Sequence, residues 1–132
     1  MDLKHALDAT PSQQRPRIDY QAGRLLGTRC EQCGYVSWPG RPVCPRCGAA
    51  AATELLLSNE GVLVTFTTVW VPRQGLTTPY ILGQVDLPDG VRIFAHCRGL
   101  TNRHRVPLPV RLVVQSDPES VPPFTFEPKE DA

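Results

Sequence analysis

The chain has 132 residues, 41% of them hydrophobic and 20% charged, a composition that can build a packed core and does not resemble that of a disordered chain. Its 14 basic and 13 acidic residues leave a net charge of +1, which excludes a strongly basic nucleic-acid coat and a strongly acidic solvating chain. The longest uncharged stretches have 12 residues. A membrane helix needs about 20, so no membrane span is predicted.

The segment before the cysteines, residues 1–28, is predicted to be a tail with at most a short helix. Three apolar side chains would share one face of a helix over residues 2–9, but so short a helix is marginal and a frayed terminus fits equally well. A short helix or turn is expected over residues 17–28, where Gly23 argues against a longer one. No apolar secretory core is present in this segment, which predicts a cytoplasmic protein.

Two C-x-x-C pairs, each followed by a glycine, give the strongest signal in the sequence and predict a zinc ribbon over residues 29–49. The predicted metal ligands are Cys30, Cys33, Cys44 and Cys47. Two such turns can place four thiolates around one Zn²⁺ ion in a tetrahedron. The alternatives are that the cysteines form two disulfides or remain four free thiols. Since four protein ligands leave no open position, this zinc is expected to be structural.

After a linker over residues 50–60, the pattern changes to that of short β-strands. Strands are predicted over residues 61–71, 79–87, 91–97, 108–115 and 124–126. The first strand is apolar or β-branched on both faces, which favours a core position for Phe66 and Trp70. About five strands with one long loop predict an OB-fold barrel over residues 61–128, followed by a tail over residues 129–132. The fold class is therefore mainly β, with an N-terminal rubredoxin-like zinc ribbon and a small OB-fold barrel.

No catalytic residue is predicted. The sequence contains no G-x-S-x-G, P-loop, G-x-G-x-x-G or H-E-x-x-H motif. The fifth cysteine, Cys97, lies on the apolar side of its strand and is interpreted as a small core residue. Asp86 and Asp89 flank a hairpin turn, where they serve turn formation. A binding or accessory role is favoured over an independent enzyme.

A basic segment suggests a contact surface for anions. Residues 92–111 contain five arginines and two histidines and no acid. The planar guanidinium group of arginine can form two parallel hydrogen bonds with a phosphate group. A strand face and loop exposed to solvent would explain the cluster of basic residues equally well. The candidate contacts are Arg92, His96, Arg98, Arg103 and Arg105.

The order of these features resembles the DUF35 family of zinc-ribbon/OB-fold proteins over residues 18–128. The matching features are Gly23-Arg24-Leu25 before the ribbon, the two cysteine pairs, the strand sequence GVLVTFT from Gly61, Pro79-Tyr80 and the FTFEP ending from Phe124. One departure is the segment VPLPV from Val106, which lacks the glycine usual in the family before the penultimate strand.

The resemblance implies an accessory subunit that forms a hetero-oligomer with a thiolase-like enzyme or an aldolase in lipid or aromatic acid metabolism. The partner would carry the catalytic residues for thiolysis, acyl transfer or retro-aldol cleavage. The small subunit would help to hold the coenzyme A part of an acyl-CoA, and a structural Zn²⁺ would be its own cofactor.

Two other classes of function remain open at this point. A nucleic-acid-binding OB-fold module would use arginines and stacking aromatic side chains, but the near-neutral net charge opposes a polyanion as the main partner. A stand-alone hydrolase or transferase lacks a supporting motif.

Overall fold

The computed structural model describes residues 17–73, 75–101, 103–117 and 120–129. The short helix predicted over residues 2–9 lies outside the described residues. The strands in chain order are β1 (Ile18–Asp19), β2 (Arg24–Cys30), β3 (Val36–Ser37), β4 (Ala52–Leu56), β5 (Glu60–Val69), β6 (Tyr80–Asp86), β7 (Arg92–Cys97), β8 (Leu108–Val114) and β9 (Phe124–Pro128). The described residues contain no helix, and therefore none with the length and apolar character needed to cross a membrane.

The N-terminal unit is a small antiparallel sheet with β2 at its centre. β1, β3 and β4 all pair with β2. The structure thus differs in part from the sequence prediction on both sides of the cysteines. Residues 17–28 form β1, a turn and the start of β2, where a short helix or turn was expected, and the predicted linker contains β4. Side chains of β2 alternate between more and less buried positions up to Gly27, the pattern of a strand with one covered face. A short sequence window around the cysteines could not show this pairing, since β4 reaches β2 from more than 20 residues away.

The C-terminal unit is a closed barrel in the order β5-β6-β7-β9-β8, which confirms the predicted OB-like fold. β5 pairs with β8 only from Glu60 to Leu63, and with β6 from Val62 to Val69 with a bulge between Leu63 and Thr65. β7 and β9 meet in parallel at Cys97 and Phe126. Ile93, Ala95 and Cys97 point inward from β7, as the alternation of that strand predicts.

The ribbon and the barrel share one hydrophobic core. Leu25 and Leu57 from the ribbon side are fully buried with Leu63 and Phe126 of the barrel. The indole ring of Trp38 packs edge-on against the ring of Phe124, with 5.6 Å between ring centroids. The chain therefore holds its metal-binding end in a fixed position against the barrel.

The prediction that Phe66 and Trp70 lie in the core is wrong. The side chain of Phe66 is 36% exposed and that of Trp70 is 71% exposed. The reason is that β8 covers only the first part of β5, so the second part extends past the closed section of the barrel. Apolar character on both faces of this strand indicates an uncovered surface in addition to a core.

Gly83 on β6 provides a test of the packing inside the barrel. A Cβ atom at this position would lie 2.6 Å from Cδ1 of Leu63, 3.0 Å from Sγ of Cys97 and 3.0 Å from the carbonyl oxygen of Thr65. We expect Gly83→Ala to lower the free energy of unfolding by about 1–3 kcal/mol, the usual cost of overpacking. Urea denaturation measures it, with Thr67→Ala on the exposed part of β5 as a control expected to cost about 0.5 kcal/mol or less. Equal stability of Gly83→Ala and the parent would contradict this packing.

Candidate metal centre and basic cleft

Two tight turns carry the cysteine pairs at the tip of the ribbon. The N–H of Gly34 donates to the carbonyl of Cys30 at 2.7 Å, and the N–H of Gly48 donates to the carbonyl of Cys44 at 2.9 Å. Gly34 and Gly48 adopt φ values of 82° and 79°, a left-handed conformation that glycine enters without steric cost. The glycine after each pair therefore lets the chain turn back so that both cysteines of a pair face the same point.

The four sulfur atoms come together as a zinc site requires. The Sγ atoms of Cys30, Cys33, Cys44 and Cys47 all lie within 4.8 Å of one another. Cys30 and Cys47 are 3.6 Å apart at Sγ, as are Cys33 and Cys44. A Zn–S bond of about 2.3 Å gives a tetrahedron with edges of about 3.8 Å, so the donor set fits Zn²⁺.

The surroundings of the cluster favour the thiolate form of Cys33 and Cys44. At Cys47 the backbone N–H of Ala49 acts in the same direction, but burial and the neighbouring sulfur atoms raise the pKa to about 11. The backbone N–H groups of Arg46 and Cys47 both point at Sγ of Cys44 at 3.4 Å. The backbone N–H of Tyr35 lowers the pKa of the Cys33 thiol to about 6, and the nearby guanidinium of Arg46 acts in the same direction. The thiolate is the form that binds metal, so the lowered pKa values of Cys33 and Cys44 favour binding of a cation.

The side chain of Arg46 connects the two cysteine turns. Its guanidinium donates to the carbonyl of Cys33 at 2.7 Å and lies 5.2 Å from the ring centre of Tyr35. One side chain therefore links the second cysteine turn to the first. The sequence alone does not reveal this role of Arg46, because it depends on the distance between the two turns in space.

A cleft of about 400 Å³ opens at the end of the barrel where β5 and β7 finish. Its wall includes Tyr80, His96 and Arg98, together with backbone of the loops at Gly75 and Gly99. The rings of Tyr80 and His96 are 5.4 Å apart at their centroids. The structure thus brings together two of the predicted anion contacts, His96 and Arg98, in a concave site of a size that can take part of a ligand.

The cleft has a positive electrostatic environment. Partial burial lowers the pKa of His96, and the charges of Arg73 and Arg98 lower it further. Arg73 was not among the predicted contacts, because it follows β5 and lies outside the basic segment. Because β5 and β7 each pair antiparallel with β6, the two strands end on the same side of the sheet, and Arg73 and Arg98 follow these two ends. The strand order is therefore the signal that could have indicated Arg73.

The structure separates Arg92 from the other predicted contacts. Arg92 begins β7 and forms a two-pronged ion pair with Asp86 of β6, with its Nε and one terminal nitrogen 2.6 and 2.9 Å from the carboxylate oxygens. This hydrogen bond lowers the pKa of Asp86. The basic segment is free of acids along the chain, but strand pairing supplies one from β6. Asp86 therefore serves this ion pair rather than the turn alone.

The remaining predicted contacts follow β7 in a loop. Arg103 and Arg105 both lie exposed between Gly99 and Leu108. Nδ1 of His104 accepts a hydrogen bond from the N–H of Thr101 at 2.9 Å, so this histidine holds the loop turn. Arg103 and Arg105 stand near the end of β7 in the chain, yet neither lines the cleft.

Cys97 lies in the barrel interior and is separate from the four-cysteine cluster. Only 6% of it is exposed, and burial raises the pKa of its thiol to about 11. A thiol in this environment is protonated at neutral pH and is a poor nucleophile. Its position agrees with the interpretation as a core residue.

Sequence comparisons match both units of the chain. The family described as "ChsH2, rubredoxin-like zinc ribbon domain" matches residues 21–53, and "ChsH2, C-terminal OB-fold domain" matches residues 56–115. The chain is 35% identical over 96 residues to the benzoylsuccinyl-CoA thiolase subunit BbsA of Thauera aromatica, across 73% of this chain and 67% of the relative. The subunit of the same name from Geobacter metallireducens is 33% identical, across 68% of this chain and 61% of the relative.

A solved structure shares the whole architecture. The Ltp2-ChsH2(DUF35) aldolase contains a chain that superposes with a TM-score of 0.67 at 25% identity, covering 86% of this chain and 98% of the other. The ribbon with its cysteine cluster and the attached barrel define a class of zinc-ribbon/OB-fold proteins. This chain belongs to the ChsH2, or DUF35, family within that class.

Proposed function

We propose that this chain is the non-catalytic subunit of a thiolase-like or aldolase enzyme that acts on an acyl-CoA. The observation that carries the proposal is its similarity to two proteins named as thiolase subunits and to a chain of an aldolase assembly. The closed four-cysteine site supports it, since such a zinc has no position for a substrate. The buried, protonated Cys97 offers no alternative nucleophile.

The subunit's second role is to help bind coenzyme A at the basic cleft. His96 and Arg98 line this cleft, Arg73 adds positive charge, and Arg103 and Arg105 stand on the loop that follows. Phosphate groups of coenzyme A carry the complementary charge, and arginine binds them with paired hydrogen bonds. Arg92 is left out of this role because its guanidinium is already engaged by Asp86.

Co-purification tests the partner. Native tagged protein is isolated and every protein that accompanies it is identified by mass spectrometry. We expect a thiolase-superfamily subunit in a fixed ratio to this chain. Recovery of the chain with nucleic acid and no such subunit would overturn the proposal.

The alternative of a nucleic-acid-binding module gains one observation from the structure. Trp70 and Phe94 are exposed, as stacking on bases requires. The ion pairs of Arg92 with Asp86 and of Lys129 with Glu60 reduce the basic surface available to a polyanion. Binding of single-stranded oligonucleotides at physiological salt distinguishes the two functions, and we expect none at micromolar concentration.

Replacing Arg98 and Arg103 together with alanine is expected to weaken acyl-CoA binding by the complex. A desolvated charge-assisted contact contributes about 1.5–3 kcal/mol, which corresponds to about ten- to a hundredfold in affinity. Titration of the complex with acyl-CoA measures the change. Arg29→Ala with Arg41→Ala removes the same charge from exposed positions on the ribbon and is expected to have little effect. An affinity within about twofold of the parent for the Arg98 and Arg103 variant would place the coenzyme A site elsewhere.

A further inference from the structure

The second half of β5 has an unpaired edge. β6 pairs with β5 from Val62 to Val69, but β8 pairs with it only from Glu60 to Leu63. Among the described residues, no backbone hydrogen bond reaches residues 65–69 from the side away from β6. About half of the N–H and C=O groups in such a segment point away from the paired strand, so they are available to another chain.

Among the described residues, this edge has only one of the devices that usually protect one, the β-bulge between Leu63 and Thr65 at its start. Native edge strands carry lysine, proline or inward charges, or are covered by another element. Residues 65–69 read Thr-Phe-Thr-Thr-Val, with no charge and no proline, and the first four are exposed. An edge of this composition is suited to pairing with a further strand.

We propose that residues 65–69 of β5 accept an extended segment of the thiolase-like subunit as an added strand; this inference rests on the proposed function. Addition of a strand to an open sheet edge is a common mode of protein recognition, in which backbone hydrogen bonds supply affinity and alternate side chains supply specificity. The new strand would extend the barrel sheet beyond the point where β8 leaves it.

The exposed aromatic residues supply the specificity. Phe66 is paired with the buried Gly83 and lies on the interior side of the sheet, and Thr68 follows it on the same side. Trp70 comes directly after the last residue of β5. Here the interior side is open, because the barrel closes only over the first part of β5. Trp70, with 71% of its surface exposed, is the largest apolar group available for a pocket on the partner.

The surrounding charge selects the chemistry of the partner segment. After Glu60, the chain has no acidic residue until Asp86, while Arg73 follows β5 and Arg98 ends β7 at the same end of the barrel. Neither arginine forms an ion pair within the parts of the chain that the structure describes. Arg98 lines the cleft assigned to coenzyme A, so Arg73, which follows β5 directly, is the charge left for the partner. The fitting segment therefore alternates apolar residues along its length and carries an acidic residue where it meets Arg73.

Amide hydrogen exchange tests the added strand. The probe is the thiolase-superfamily subunit that co-purifies with this chain, and exchange is measured for the chain alone and in the purified complex. We expect amides in residues 65–69 to exchange at least about tenfold more slowly in the complex. Unchanged exchange in a complex that forms would overturn the inference and leave the proposed function standing. Failure to form any complex would overturn both.

Paired variants test the side chains. Trp70→Ala is expected to weaken binding of that subunit by about tenfold or more, the effect of removing a central aromatic contact. Phe94→Ala removes a similarly exposed aromatic ring from β7 and is expected to change binding by less than about twofold. Zinc content and melting temperature confirm that both variants are folded. Equal affinities for the two variants would overturn the role of Trp70.

A second copy of this chain is the competing occupant of the edge. It would give protection of residues 65–69 in the isolated chain that rises with concentration, together with a dimer mass in ultracentrifugation. That result would overturn the assignment of the edge to the thiolase-like subunit. We expect a monomer with rapid exchange in this segment.

Discussion

Replacing Cys33 with serine is expected to reduce bound zinc from one ion per chain to nearly none and to unfold the ribbon. Cys33 is one of four sulfurs within 4.8 Å of one another, and three ligands hold the ion much more weakly than four. Binding free energies of structural zinc sites are about 10–16 kcal/mol and are largely folding free energy. The ribbon sheet is too small to replace this contribution with hydrophobic burial.

Elemental analysis and circular dichroism measure the two parts of this result. Cys97→Ala is the matched control, since it also removes one cysteine but lies in the barrel apart from the cluster. The control is expected to keep one zinc ion per chain. Zinc retained at one ion per chain in Cys33→Ser, or absent from the parent protein, would contradict the site.

Replacing Phe126 with alanine is expected to lower the free energy of unfolding by about 3–5 kcal/mol, the usual range for a buried phenylalanine. Phe126 is fully buried in β9, where it meets both β7 and β8 and contacts the ring of Phe124. Through Phe124 and Trp38 the cavity would also loosen the contact between barrel and ribbon. The loss is a large fraction of the stability of a domain of this size.

Chemical denaturation measures this effect. Phe94→Ala on the outer face of β7 serves as the control, because its ring is 62% exposed and little burial is lost. We expect the control to cost less than about 1 kcal/mol. Similar losses for the two variants would show that the barrel core is not centred on Phe126.

The four-cysteine cluster and the barrel strands could be predicted from sequence because their signals are local. A C-x-x-C-G turn specifies its own geometry within five residues, and alternation in β7 shows which side of the strand faces inward. The pairing of β4 with β2 could not be predicted in this way. It depends on register between distant segments, and β4 itself has no strong alternation of burial.

The residues at the basic cleft were predicted only in part, because the sequence shows charges only in their order along the chain. No acidic residue occurs in the basic segment that begins at Arg92. The pairing of β6 with β7 nevertheless places the carboxylate of Asp86 next to its guanidinium. Arg73 joins His96 and Arg98 only through the order of the strands. The exposure of Trp70 had a sequence signal, namely apolar residues on both faces, but the same signal also describes a fully buried strand.

The most direct test of the account is acyl-CoA turnover by three samples: this chain alone, the thiolase-like subunit alone, and their complex. Thiolytic and retro-aldol activity is measured at matched concentrations. We expect no turnover by this chain alone and the highest turnover by the complex, because the proposed function assigns the chemistry to the partner and a supporting role to this chain. Turnover by this chain alone would contradict the account, since it would require a catalytic site within this chain; loss of that turnover in Cys97→Ala would identify Cys97 as the nucleophile, and its survival would place the site elsewhere in the chain.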